Sequence, residues 1–167
     1  MADIKIKDKF NRATRELVLD TEEVFAGILE DTPETAQVAT VTLTAAQIKT
    51  LFASPVTLVP AQGAGKTIVV DSIFGKSVGA TAAFDAATST LQFRYTGPSG
   101  ALATADLPNT FIEAADGATV LGSVSSVATA VVPVANAPIV AFITAANPAA
   151  NTAAGTITLT VVYRVFS

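Results

Sequence analysis

The segment Gly155-Thr-Ile-Thr-Leu-Thr-Val-Val-Tyr-Arg-Val-Phe166 alternates with a period of two. Ile157, Leu159 and Val161 fall on one face and Thr156, Thr158 and Thr160 on the other, which is the pattern of a strand with one buried face. Such a strand needs partners and a covering layer, and the preceding sequence supplies candidates for both. Ala39-Thr-Val-Thr-Leu43 alternates in the same way, and Thr44-Ala-Ala-Gln47 resembles a capping box that opens a short helix through Phe52. Pro55-Val-Thr-Leu-Val-Pro60 reads as a strand bracketed by prolines, and Lys66 to Phe74 as another. The loop Ala61-Gln-Gly-Ala-Gly65 between them predicts a hairpin.

Further strands are expected at Thr90–Tyr95, as a longer pair within Thr119 to Val134, and at Ile139–Ile143. Thr96-Gly-Pro-Ser-Gly100 has the residues of a tight turn, and Asn147 to Gly155 those of a loop. About eight strands at this spacing, with brief helices only, indicate an all-β protein: an antiparallel, jelly-roll-like β-sandwich. No internal repeat is visible.

Composition agrees with that reading. Half of the 167 residues are hydrophobic, but Ala, Thr and Val supply 32, 23 and 19 of the total, so the apolar content is small and β-branched. No charge occurs from Gly117 to Tyr163, and Val120–Thr144 has the length of a membrane span. Pro133, Asn136 and Pro138 interrupt it and no Lys/Arg cluster flanks it, so no membrane association is expected. Met1 to Phe10 lacks the apolar core of a secretory signal.

Charge divides the chain in two. Of 24 charged residues, 14 lie in the first 34, and the other 133 residues carry five bases and five acids. We therefore expect an N-terminal arm, 1–34, extended or helical, and a β-sandwich body, 35–167. Within the arm, residues 1–15 have a net charge of +3 and residues 16–34 of −7. Ile6, Phe10, Ala13 and Leu17 follow helical spacing while Ile4-Lys-Ile-Lys7 alternates like a strand, so the first residues fit either form. Thr21 can cap a short amphipathic helix in which Val24/Ile28 and Phe25/Leu29 pair four apart before Pro33. A solvated terminus is one reading of this arm. The other is a docking arm that orders on a partner, with Lys5, Lys7, Lys9, Phe10, Arg12, Arg15, Val24, Phe25, Ile28 and Leu29 as candidate contacts.

Little points to catalysis. With neither Cys nor His there is no thiolate, imidazole base or histidine-bound metal. Pro60-Ala-Gln-Gly-Ala-Gly-Lys66-Thr67 approaches a phosphate-binding loop, but Pro60 stands where that loop needs Gly, and Thr-Ile-Val-Val follows where it needs a helix. Asp106, Glu113 and Asp116 are near in sequence, yet Asp106-Leu-Pro and Asp116-Gly read more simply as turns. We expect no catalytic residue, cofactor or metal. The acidic stretch beside the basic one, with a pI of 4.6, argues against nucleic acid as a partner.

Leu43-Thr-Ala-Ala-Gln-Ile-Lys-Thr-Leu51 and Pro55 to Val70 resemble a group of small virion structural proteins of tailed bacteriophages, the capsid decoration (cement) proteins. Asn136-Ala-Pro-Ile-Val, Asn147-Pro and Gly155 to Val165 are similar to the closing strands of that group. The resemblance spans roughly residues 40–166 and leaves the arm outside. It implies a β-sandwich homotrimer on the capsid surface of a virion, made in the host cytoplasm, with the major capsid protein as partner. A tail, neck or head-fibre component is the alternative in the same class. A carbohydrate-binding β-sandwich is the alternative in another, although only Tyr95 and Tyr163, and no Trp, could serve as sugar platforms.

Overall fold

The computed structural model describes residues 10–11, 16–17, 35–79, 82–86, 88–114, 117–125, 132–148 and 154–167. The chain forms two compact units, Met1–Thr35 and Ala36–Ser167.

In the first unit, β1 (Phe10–Asn11) pairs antiparallel with β2 (Glu16–Leu17), bringing Phe10 opposite Leu17. Phe10 and Leu17, which helical spacing could equally have placed together, are cross-strand partners here. Lys5, Lys7, Lys9, Arg12, Arg15, Val24, Phe25, Ile28 and Leu29 lie outside the described residues, as does the helix expected after Thr21.

The second unit is an antiparallel sandwich. Its strands are β3 (Gln37–Thr44), β4 (Val56–Val59), β5 (Thr67–Gly79), β6 (Leu91–Tyr95), β7 (Thr119–Ser125), β8 (Ile139–Ile143) and β9 (Gly155–Phe166). One sheet has the order β3-β9-β5-β7 and the other β4-β8-β6. Ala101–Leu107 runs along the free side of β6: Tyr95 N–H donates to the Ala101 carbonyl (3.0 Å), Ala103 N–H to Phe93 (2.9 Å), and Leu91 and Leu107 exchange both bonds (2.9 Å each). Counting that segment fifth, the sheets have chain order 1-8-3-6 and 2-7-4-5, and the sandwich is jelly-roll-like as expected.

This connectivity corrects the expected hairpin. Chain-adjacent β4 and β5 do not pair; β4 pairs with β8, and β5 with β7 and β9. In a Greek-key sandwich most connections cross between layers, so neighbours in sequence are not neighbours in a sheet. The pair of strands expected within 119–134 is also corrected: β7 ends at Ser125, residues 126–131 lie outside the described set, and Val132–Val134 are not strand. Ala135 makes a single bridge to Thr67.

The core fills the space between the sheets. Ile157, Leu159, Val161, Tyr163 and Val165 of β9 and Ile68, Val70 and Ile73 of β5 face Leu91, Phe93 and Tyr95 of β6 and Ile139, Ala141 and Ile143 of β8. Each Val, Leu, Ile or Phe among them contributes about 1.5–3 kcal/mol by leaving water. Tyr95 also reaches across the layers, its Oη donating to the Ile68 carbonyl at 2.7 Å, and burial raises its pKa above the usual phenolic value. The capping box forms as the sequence predicts: Thr44 N–H donates to Gln47 Oε1 (2.9 Å) and Gln47 N–H to Thr44 Oγ1 (3.4 Å), opening α1 (Ala45–Thr50). A second helix, α2 (Asn109–Ile112), buries Phe111 and Ile112 and has no signature in the sequence.

Candidate functional site

On the four-stranded sheet, the side chains pointing away from the core form a grid set by strand register. Its rows are Val38–Val162–Ser72–Ser125, Thr40–Thr160–Phe74–Ser123, Thr42–Thr158–Lys76–Leu121 and Thr44–Thr156–Val78–Thr119. Of these sixteen positions ten are Ser or Thr, five are apolar and one, Lys76, is charged. Thr hydroxyls join neighbouring strands, Thr40 to Thr160 at 3.2 Å and Thr42 to Thr158 at 3.0 Å. Large apolar side chains nonetheless stand in solvent: Phe74 is 51% exposed, Leu121 74% and Val38 63%. Phe74 and Leu121, with Gly122 and Ser123, line a shallow depression.

Phe74 is on this face because β5 carries a bulge. Val70 is paired with Tyr163 and Ser72 with Val162, so Asp71 is an extra residue. Unbroken alternation from Ile68 and Val70 would turn Phe74 into the core. The extra residue inverts the parity, placing Ile73 inside and Phe74 outside. Asp71, freed from the ladder, pairs with Arg164 Nε at 3.1 Å.

Of the carboxylates weighed for chemistry, Asp106 and Glu113 are held in structural hydrogen bonds. Asp106 Oδ2 accepts from Thr90 Oγ1 (3.0 Å) and Gln92 Nε2 (2.6 Å), so it is not a local turn residue: it ties the Ala101–Leu107 segment to β6. Glu113 Oε1 accepts from the Ala86 N–H at 2.9 Å. Asp116 lies outside the described residues. Arg94 donates to Gln92 Oε1 (3.0 Å) and the Gly100 carbonyl (2.7 Å), with its guanidinium 5.8 Å from the Phe142 ring centre.

The loop before Lys66 is a turn, with the Lys66 N–H donating to the Gly63 carbonyl (3.2 Å) and strand β5 following. Among the described residues no group of three or more carboxylates could hold a metal, and no helix is long and apolar enough to cross a membrane.

Sequence reasoning did not single out Phe74, Leu121 and Val38. Each belongs to a segment expected as strand, but their convergence on one open face depends on register and on the bulge, neither of which is a local property.

No protein-family model matches the chain, and no curated protein does. Among solved structures, a chain of the cyanophage Pam1 capsid asymmetric unit is similar over 92% of this chain and 96% of its own, at 16% identity and a TM-score of 0.44. A chain of the Bacillus endospore appendages, a family of disulfide-linked pili, is similar over 78% of this chain and 87% of its own, at 15% identity and a TM-score of 0.27.

Proposed function

We propose that this protein is a structural subunit of a tailed-phage virion that decorates and stabilises the capsid. In this reading the β-body forms a homotrimer on the shell and the arm, residues 1–34, docks to the major capsid protein. One observation carries it: the outer face of the four-stranded sheet bears one charge in sixteen positions and leaves Phe74, Leu121 and Val38 exposed. The adjoining pair Phe74 and Leu121, exposed on a face with so little charge, favours a surface that meets other protein. The resemblance of residues 40–166 to decoration proteins supplies the class of partner, and the role is mechanical. A trimer seated across several shell subunits turns modest contacts into tight attachment, which resists pressure from packaged DNA.

Two measurements test this. Light scattering of the purified protein should give three times the 17.0 kDa chain mass. Electron microscopy of virions carrying labelled protein should place it on the head surface. A monomer at micromolar concentration, or label confined to the neck or tail, would overturn the decoration reading.

A further inference from the structure

We infer that β3 is an open backbone edge at which two copies of this chain pair antiparallel, β3 against β3, joining their four-stranded sheets. β3 is eight residues long and bonded only on its β9 side. Among the described residues no other backbone group reaches it.

Of the remaining sheet edges two are guarded, and the third, β7, is weakened at its centre and engaged at its end. β6 is covered by Ala101–Leu107. β4 is four residues with a register shift, set between Pro55 and Pro60. β7 has Gly122 at its centre, and its end carbonyl at Ser125 already accepts from Ala105. β3, Gln-Val-Ala-Thr-Val-Thr-Leu-Thr, contains no charge or proline, the residues that normally stop an edge from recruiting another strand, and no glycine to weaken it.

A second copy fits because the strand complements itself. Centring the two-fold on Val41 sets Thr40 opposite Thr42 of the other copy and Val38 opposite Thr44, all on the outer face. Thr–Thr hydroxyl pairing is the contact β3 already makes with β9 at Thr40–Thr160 and Thr42–Thr158, and each hydroxyl keeps further acceptor capacity. No like charges meet. A single strand pair buries well under the roughly 800 Å² per partner of a stable complex, so pairing depends on concentration or on prior anchoring. An isologous contact closes at two copies, so beside the proposed trimer it links one trimer to the next.

The chain has no cysteine, so introduced thiols report alone. Directly opposed strand residues have Cα atoms about 4.5–5.5 Å apart, within disulfide reach. Full-length T40C mixed with full-length T42C, mildly oxidised, should give the 40–42 disulfide on the order of tenfold faster than either gives with K66C in the exposed loop, because pairing raises the effective thiol concentration. Equal rates overturn the inference, as does preferential linkage of T40C to K7C of the arm. T40K/T42K, which opposes like charges at exposed positions, should keep the circular dichroism spectrum and suppress the disulfide-independent pair in light scattering; unchanged pairing overturns the inference. These readouts need no virion. Failure of head attachment with crosslinking intact sinks the decoration reading alone, and the converse result sinks β3 pairing alone.

Discussion

Gly75 of β5 and Gly122 of β7 are register partners, and the space left by their two missing side chains holds the ring of Phe111. A Cβ on Gly75 would lie 2.5 Å from Phe111 Cζ, and one on Gly122 2.8 Å from Leu107 Cδ2. The helix α2 is thereby seated against a sheet whose other face stays open. Gly75→Ala should destabilise the body by about 1–3 kcal/mol through overpacking. Gly122→Ala should cost less, because the end of a leucine moves more readily than a buried ring. Urea midpoints of the two variants check the ranking, and equal or inverted costs would contradict the seating of Phe111.

Tyr95 couples stability to alkaline pH. Its folded pKa is raised above the unfolded value of about 10. Its contribution is therefore whole below that value and is lost as pH rises toward the folded pKa, since the unfolded chain releases the proton first. Tyr95→Phe should remove about 0.5–1.5 kcal/mol at neutral pH with the bond to the Ile68 carbonyl, and more if that carbonyl stays unpaired. It should also flatten the decline of the urea midpoint as pH rises past about 10. A decline as steep as in the parent would show that another group is responsible.

Phe74→Ser with Leu121→Ser should cost the monomer no more than about 1–2 kcal/mol, as Leu121 stands largely in water and Phe74 about half. Association should weaken at the same time. Thermal melts at low concentration read the first effect and light scattering the second. A large loss of stability would mean that these side chains serve the fold rather than an interface.

Deleting residues 1–34 should leave a folded body, because Ala36–Ser167 is a compact unit by itself, and should abolish attachment to the shell. Circular dichroism and co-sedimentation with shells check the two halves. Attachment at parental strength by the truncated protein would remove the docking role from Lys5, Arg12, Phe25 and the rest of the arm.

Local chemistry determined much of this protein. Period-two alternation announced β9, β3 and β6, β-branched runs announced β4 and β8, and Thr44 with Gln47 announced the start of α1, because each depends on residues a few positions apart. Which strands pair, which side chain of β5 turns outward and where Phe111 rests were decided by tertiary structure alone. β4 and β5 read as a hairpin, yet the chain crosses between layers there. The bulge at Asp71 moves Phe74 from the core face to the open one, and it is defined only against Tyr163 and Val162 of β9. Gly75 and Gly122 become a recess only when β5 and β7 lie side by side. Register is a long-range relation, set by how two distant segments bury their apolar faces against a shared core, and no short window of sequence contains it.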